Sequence, residues 1–222
     1  MDIKIQKFIS DNGYCSRRKA EELVLNKKVK VNGKIATVGM RVNGSEKIVV
    51  EGEIIGSQKN HLYIMLNKPV GYVCTSKKEE GEKNVFSLVD VQERLFVVGR
   101  LDKDSSGLVL LTNDGDFSYK LTHPSFSHEK EYIVQTSRDI SKEEEEEFLR
   151  GVDIKEKTKA KMKSIERIGQ KKYRVVLTEG KHRQIRRMFE VFDSTVLALK
   201  RVRIDKYTLG TLLEGRWKFI KK

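Results

Sequence analysis

Two short helices are predicted at the start of the chain, because apolar residues there recur every three or four positions. The first helix carries Ile5, Phe8 and Ile9 on one side, and Gly13 follows where it would end. The second helix begins after Ser16, a residue type that caps helix N-termini. Its apolar positions are Ala20, Leu23 and Val24. The chain therefore opens with a helix–helix unit.

Beyond these helices the pattern changes to alternation and to short apolar runs, which predict strands. Lys28-Val29-Lys30-Val31 alternates charged and apolar residues, and Asn32-Gly33 is typical of a tight hairpin turn. A polar linker is predicted over Gly56–Asn60, and a charged loop over Lys77–Asn84. Further strands are predicted over Leu62–Leu66, Leu95–Val98, Leu108–Leu111, His128–Val134, Val196–Ile204 and Trp217–Ile220.

Two helices are predicted in the second half of the chain. Ser141 precedes the acidic run Glu143–Glu147, and acids in a first turn suit the helix dipole, so this segment is interpreted as a solvated helix. The other helix buries one face at helical spacing. The residues of that face are Ile185, Met188, Phe189 and Phe192.

Charge makes nucleic acid the favoured partner. The 222 residues include 45 Lys and Arg against 32 Asp and Glu, which gives a net charge of +13. The two cysteines, Cys15 and Cys74, and the widely spaced histidines favour neither a disulfide scaffold nor a zinc site. No apolar run is long enough for a membrane span, and the N-terminus is not typical of a signal peptide. We therefore expect a cytoplasmic protein without metal or membrane.

The segment from Gly99 to Asp116 carries the strongest candidate chemistry. It places Asp102 on a glycine-flanked turn between two apolar strands, with Arg100 two residues before it. A carboxylate in that position suits catalysis. A plain surface turn is the alternative, because Asp and Ser are common in turns for hydrogen-bonding reasons.

Three other sites would use the same residues. An EF-hand would take Asp102 as its first ligand, but Asn113 stands where the bidentate Glu is required, and the flanks are predicted strands. The pair Asp102 and Asp104 also imitates Mg²⁺-dependent phosphotransferases, whose further carboxylates are not evident after Asp116. A retaining glycosidase, which needs a second carboxyl group about 5 Å from the first, stays open.

Two helix N-termini are crowded with cations, although the helix dipole favours acids there. Arg17, Arg18 and Lys19 follow Ser16, and the second cluster begins the helix of Ile185. Basic side chains combined with free backbone N–H groups would hold a phosphate. The second cluster and its polar neighbours are Lys181, His182, Arg183, Gln184, Arg186 and Arg187.

These motifs together resemble one family. Gly99-Arg100-Leu101-Asp102 with the following Ser, Gly and Leu-rich strand resembles the signature of bacterial RNA pseudouridine synthases of the RsuA/RluB/RluF group. Asn67-Lys68-Pro69, Lys130-x-Tyr132 and Glu179-Gly180-x-x-Arg183-Gln184-Ile185-Arg186-Arg187 are similar to further motifs of that group. Residues 1–58, with Cys15–Glu21 and Val31-Asn32-Gly33, resemble the S4 RNA-binding domain. The tail around Arg201–Ile204 is similar to the RluF branch, which acts on large-subunit rRNA.

The resemblance implies roles for individual residues. Asp102 would be catalytic, Tyr132 would face the flipped uracil, and Arg186 would pair with the catalytic Asp. Substrate binding would involve Arg100, Lys130 and Ile185. RNA contacts would come from Arg17, Arg18, Lys19, Lys28, Lys30, Lys181, His182, Arg183, Gln184 and Arg187.

The resemblance also implies the fold and the reaction. We expect an S4-like domain at 1–58 and an α+β catalytic domain at 62–222, built on a mixed, mainly antiparallel sheet. The protein would be a monomer that isomerises uridine in ribosomal RNA, more specifically 23S rRNA, with no cofactor. The alternative is a non-catalytic RNA-binding or ribosome-assembly factor, which would tolerate the loss of Asp102, Tyr132 and Arg186.

Overall fold

The computed structural model describes residues 2–56, 60–75 and 81–222. The chain forms two compact units. The first comprises Met1–Leu62, Val91–Leu95 and Asn113–Gly115, and the second comprises Tyr63–Asp90, Phe96–Thr112 and Asp116–Lys222. Part of the predicted linker (57–59) and part of the predicted charged loop (77–80) lie outside the described residues.

The first unit packs two helices against short strands. Its elements in chain order are β1 (Ile3–Lys4), α1 (Ile5–Asp11), α2 (Arg17–Leu25), β2 (Val29–Val31), β3 (Lys34–Ile35), β4 (Arg41–Val42), β5 (Ile48–Val50) and β6 (Glu53–Ile55). Strand β1 pairs with β4, and the other strands form a sheet in the order β3-β2-β5-β6. The apolar faces of both helices meet in one core, in which Ile5, Ile9, Ala20, Val29 and Ile48 are fully buried.

The local signals in this unit act as predicted. The Ser16 hydroxyl accepts a hydrogen bond from the Lys19 backbone N–H at 3.2 Å and caps α2. Asn32 and Gly33 both have positive φ, 49° and 81°, which is the backbone that a type I′ hairpin turn requires. The turn joins β2 to β3 and sets their antiparallel register.

The second unit is built on one nine-stranded sheet. Its strands are β7 (Tyr63–Lys68), β8 (Phe96–Val98), β9 (Ser106–Thr112), β10 (Lys130–Thr136), β11 (Ser164–Gly169), β12 (Lys172–Leu177), β13 (Val196–Ile204), β14 (Tyr207–Thr208) and β15 (Trp217–Phe219). The main order is β11-β12-β10-β13-β9-β7-β15, with β8 on β9 and β14 on β13. Only the β13–β9 pairing is parallel among the described strands. The predicted mixed, mainly antiparallel α+β fold is confirmed.

Helices of this unit connect and cover the strands. They are α3 (Gly115–Thr122), α4 (Lys142–Arg150) and α5 (Gln184–Glu190), with short 3₁₀ helices at Val85–Leu88 and Pro124–Phe126. Ser141 and Glu144 form a capping box at α4. In α5, Ile185, Met188 and Phe189 are buried as predicted, whereas Phe192 lies beyond the helix end and is half-buried. None of the helices in the described ranges combines the length and the apolar character that a membrane crossing requires.

Candidate active site

A cavity of about 610 Å³ in the second unit brings the three predicted catalytic segments together. Asp102 reaches it from the loop between β8 and β9, Tyr132 from β10, and Ile185 from the first turn of α5. Asp102 is half-buried, while Tyr132 and Ile185 are buried. Cavity walls from three distant chain segments are typical of a site for a small organic group.

Six of the other predicted site residues also line this cavity. They are Arg100, Lys130, Lys181, His182, Arg183 and Gln184. Arg186 and Arg187 are not among the described residues that line it. The predicted residues therefore supply part of the cavity wall, and the sequence did not separate the residues that face the cavity from those that lie outside it.

Arg201 on β13 holds the loop that carries Asp102 through hydrogen bonds to backbone carbonyl oxygens. Arg201 is 1% exposed, and its guanidinium donates to the carbonyl oxygens of Leu108 at 2.8 Å, Gly99 at 2.6 Å and Arg100 at 3.4 Å. Within the described ranges it makes no ion pair. These carbonyls lie on both sides of Asp102 in the chain, so one side chain fixes the two ends of the loop.

A second buried cation holds the middle of the same loop. Lys68, at the end of β7, is fully buried and donates from Nζ to the carbonyl oxygens of Ser105 at 2.5 Å and Pro69 at 2.9 Å, with Lys103 at 3.4 Å. Burial lowers the pKa of Lys68, although the nearby negative groups oppose that shift. Two buried cations that donate to backbone carbonyl oxygens therefore hold the loop that carries Asp102.

The backbone of the loop requires glycine where it approaches β13. Gly107 has φ +103°, and a Cβ atom added there would lie 2.2 Å from the carbonyl oxygen of Arg201. This contact occurs at the parallel pairing of β13 with β9, where Arg201 is the register partner of Gly107. Only glycine allows the two strands to come this close.

Asp104, rather than Asp102, is the carboxylate that pairs with the arginines of α5. Arg183 donates to both Asp104 oxygens at 3.2 and 3.1 Å, and Arg186 Nε lies 3.2 Å from Asp104 Oδ2. Partial burial raises the pKa of Asp104, but the Arg183 hydrogen bond and the charges of Arg186 and Arg183 outweigh it, so the pKa lies below its ordinary value. The expected pair of Arg186 with Asp102 is therefore corrected, since Arg186 pairs with Asp104 instead. The Arg186 guanidinium also donates to the backbone carbonyl oxygens of Asp104 and Val196.

The Asp102 carboxylate faces the cavity without an ion-pair partner among the described residues. Among residues 2–56, 60–75 and 81–222 it has no ion-pair partner within 4 Å. Beside it in the cavity wall, Lys130 has a lowered pKa because burial and then the charge of Arg201 disfavour its charged form. An unpaired carboxylate in a cavity lined by cations can react with a group that enters.

Several side chains that were predicted to contact RNA bind other groups of the protein instead. Lys181 donates to the Thr158 carbonyl oxygen at 2.7 Å, and Gln184 donates to Glu179 at 2.7 Å. Arg187 binds Glu156 at 2.8 Å and also the Ile154 carbonyl oxygen. Lys181 and Gln184 line the cavity while making these contacts, and Arg187 lies outside the lining. His182 in the second unit is exposed at the cavity, and the predicted cations of the first unit are also exposed: Arg17, Arg18, Lys19, Lys28 and Lys30.

The described acidic residues of this site do not form a cluster. Across the described ranges no group of three or more His, Cys, Asp and Glu residues is arranged to hold a metal ion. The two acids of the loop differ in their surroundings. Asp104 forms an ion pair with Arg183, whereas Asp102 faces the cavity.

Comparison with known proteins identifies the family. The profile described as RNA pseudouridylate synthase matches residues 62–191, which is more than half of the chain. This chain belongs to the RNA pseudouridylate synthase family. The profile of the S4 domain matches residues 3–48. The protein is therefore an RNA pseudouridine synthase with an N-terminal S4 domain, and it acts by isomerising uridine in RNA.

Relatives of this pseudouridine synthase extend the match to nearly the whole chain. Dual-specificity RNA pseudouridine synthase RluF of Escherichia coli (strain K12) is 38% identical over 222 residues, covering 97% of this chain and 74% of that protein. Ribosomal large subunit pseudouridine synthase B of Bacillus subtilis (strain 168) is 40% identical over 205 residues, covering 89% and 84%. A solved structure described as a pseudouridylate synthase superposes with a TM-score of 0.72 at 28% identity, covering 99% and 96%. The resemblance found in the sequence is confirmed.

Sequence reasoning missed the support role of Arg201 and Lys68 in this pseudouridine synthase. Lys68 had one usable signal, because it lies within Asn67-Lys68-Pro69, a motif that resembles the family. Arg201 had none, since Lys-Arg-Val-Arg is typical of a half-exposed strand.

Proposed function

We propose that this pseudouridine synthase modifies a uridine of ribosomal RNA, more specifically of the large subunit, with Asp102 as its catalytic residue. The observation that carries the proposal is the unpaired Asp102 carboxylate in a cavity that it shares with Tyr132 and Ile185. The names of the two curated relatives, one of which specifies the large ribosomal subunit, support the choice of substrate.

The reaction needs no group beyond the side chains of the cavity. Asp102 attacks C1′ of the target uridine or assists departure of the base, and the N1–C1′ bond breaks with its electron pair on the uracil. The uracil turns within the cavity, C5 bonds to C1′, and Asp102 is released. C5 then loses its proton and N1 gains one, so the product is an isomer of the substrate.

The target base must leave its stack before it can reach Asp102, at a cost of a few kcal/mol. Tyr132 stacks on the uracil and its hydroxyl relays the C5 proton, directly or through water. Ile185 forms the apolar side of the pocket, and the exposed Arg100 fills the space that the base vacates. Lys130 and His182 contact the adjoining backbone. RNA loops are the natural substrates, since their bases can splay out.

Arg186 contributes indirectly in this proposal. Its guanidinium and that of Arg183 hold Asp104, two residues after Asp102, while the buried Arg201 and Lys68 hold the carbonyls around it. These four cations therefore fix the backbone and the neighbouring side chain around Asp102, and this positions its carboxylate in the cavity.

The S4-like region supplies affinity and register. We assign residues 1–58 to this RNA-binding domain and 62–222 to the catalytic domain, within a monomer that meets its rRNA substrate in the cytoplasm. The exposed first turn of α2 offers Arg17, Arg18 and Lys19 to phosphates, and exposed Lys28 and Lys30 flank the next strand. Such contacts position an RNA without reading its bases.

The test is Asp102→Asn, which keeps the shape of the side chain and removes its charge. Pseudouridine formation on rRNA transcripts should be abolished, while RNA affinity stays within a few-fold. Asp90→Asn, at an exposed position that does not line the cavity, is the matched control and should remain active. Formation of pseudouridine by the Asn variant would contradict the role of Asp102.

The same variant distinguishes catalysis from the alternative, a non-catalytic RNA-binding or ribosome-assembly role. Mapping pseudouridines in rRNA from cells that carry the parent, the Asp102→Asn variant or no protein shows whether one uridine depends on Asp102. A ribosome-assembly role without chemistry predicts that the Asn variant restores assembly and that no pseudouridine is lost with it.

A further inference from the structure

Beside the catalytic cavity lies a group of rings on the surface, here called the aromatic cluster and defined as Tyr119, His123, Phe126 and His128. Tyr119 is 55% exposed and Phe126 is 47% exposed. Their rings adjoin one another, with centroids 6.0 Å apart for Tyr119 and Phe126 and 4.7 Å apart for Tyr119 and His123. His128 continues the series, 6.1 Å from Phe126 with the two rings 30° apart.

The aromatic cluster is continuous with the catalytic cavity. His123 and His128 line that cavity, together with Pro124 between them in the chain. The cluster therefore extends from the wall of the cavity outward to the exposed rings of Tyr119 and Phe126. A nucleotide next to one held in the cavity would meet these rings.

Folding does not require the exposed rings. Helix α3 already buries its apolar side through Phe117 and Leu121, which belong to the core of the unit, whereas Tyr119 points outward. Leaving large apolar rings in water forfeits the free energy of their burial, so adjacent exposed rings mark a surface that becomes covered.

Two of the four rings, those of His123 and His128, are held by polar contacts before any ligand arrives. His123 Nδ1 lies 2.7 Å from the Ser125 hydroxyl and accepts from the Ser125 backbone N–H, capping the 3₁₀ helix Pro124–Phe126. His128 Nδ1 lies 3.3 Å from Asp205. Fixed rings lose little conformational freedom on binding, which favours stacking.

We propose that the aromatic cluster is a stacking platform for unpaired bases that flank the target uridine. This inference rests on the proposed function only in placing the target uridine in the cavity. An RNA occupant is favoured because the chain has a net charge of +13, it belongs to a family that acts on RNA, and the rings adjoin the cavity for the base. Every base has an aromatic face, so the platform selects unpaired nucleotides without selecting their sequence.

The test compares two synthetic RNAs at low salt by fluorescence anisotropy. One is a nine-uridine single strand. The other has the same backbone, but every uridine except the central one is replaced by an abasic residue, so the phosphates are kept and the flanking bases are lost. The parent should bind the all-uridine strand more tightly, and Tyr119→Ala or Phe126→Ala should remove about 5- to 100-fold of that preference.

Matched variants separate stacking from other effects. Tyr119→Phe keeps the ring and should keep the preference. Phe219→Ala removes a ring that is 57% exposed but does not line the cavity, and it should leave the preference unchanged. On the abasic strand all of these variants should bind like the parent. Circular dichroism spectra identical to that of the parent establish that each variant is folded.

The proposal is overturned if the parent binds both strands equally, or if the alanine variants lose affinity equally for both. If the variants bind naked RNA normally and lose activity only on assembled ribosomal particles, the cluster contacts protein and the proposal is again overturned. Asp102→Asn should retain the full preference for the all-uridine strand, so a failure of the catalytic proposal is distinguishable from a failure of this one.

Discussion

The Arg201 guanidinium donates to the carbonyl oxygen of Gly99 at 2.6 Å, across 102 positions of the chain. The same guanidinium reaches the Leu108 carbonyl oxygen, so one buried side chain closes the loop on which Asp102 lies. Because the partners are backbone atoms, the clamp fixes the path of the loop rather than the identity of its side chains. The position of Asp102 in the cavity therefore depends on a residue of a different strand.

Replacement of Arg201 should reduce both turnover and stability. Arg201→Met leaves buried carbonyl groups without donors, and we expect a loss of about 3 kcal/mol in the free energy of unfolding and at least a tenfold fall in kcat. KM should change less, because the residue positions Asp102 and does not bind RNA. Denaturant unfolding and steady-state kinetics measure these effects.

Two further variants test the Arg201 clamp. Arg201→Lys keeps one donor group and should recover part of kcat. Lys200→Met, at the exposed neighbouring position of β13, should change stability by less than about 0.5 kcal/mol. Equal losses in Lys200→Met and Arg201→Met would show that the strand, rather than the guanidinium, is responsible.

Gly107→Ala should be strongly destabilising. A Cβ atom at this position would lie 2.2 Å from the Arg201 carbonyl oxygen, and φ is +103°, so the substitution combines a backbone clash with a strained conformation. We expect a loss of about 2–5 kcal/mol, measured by thermal or denaturant unfolding. Gly180→Ala has open space and an ordinary φ, and it should be nearly neutral in stability. A tolerated Gly107→Ala would contradict the close parallel contact of β9 with β13.

The Asp104 pair should make stability dependent on acid pH. The pKa of Asp104 is lowered in the folded state, so the carboxylate contributes stability at pH values above its unfolded pKa, about 3.9. That contribution is lost as the pH falls through the lower folded pKa. Asp104→Asn should be less stable than the parent at neutral pH, and the difference should shrink below about pH 4. A difference that stays constant between pH 6 and pH 3 would show that the charge of Asp104 is not involved.

The first turn of α2 should contribute to RNA affinity through phosphates. Changing Arg17, Arg18 and Lys19 together to Gln should weaken binding to rRNA fragments, and the slope of log affinity against log salt should decrease by about two. Lys155, Lys157 and Lys159, all exposed in the second unit, form a control set of equal charge. Equal flattening of the slope by both sets would show that total charge, rather than this helix, is responsible.

Local sequence patterns determined much of this protein. The caps of α2 and α4 and the Asn32-Gly33 turn follow from sterics and hydrogen bonds between residues close in the chain. The apolar pattern also predicted the bounds of β13. The spacing of apolar residues also fixed the buried side of α5. Each catalytic segment is contiguous in the chain, and for that reason the amino-acid sequence alone was enough to recognise the family.

Only the tertiary structure decided which charged residues act on which atoms. The partner of Arg186 is Asp104 rather than Asp102, Arg187 and Lys181 are held inside the protein, and Arg201 is buried beneath the loop. Each of these contacts joins residues that are far apart in the chain, and it depends on strand order and register. A charged side chain looks the same in the sequence whether its partner is a phosphate, a carboxylate or a backbone carbonyl, because the partner is chosen by the fold.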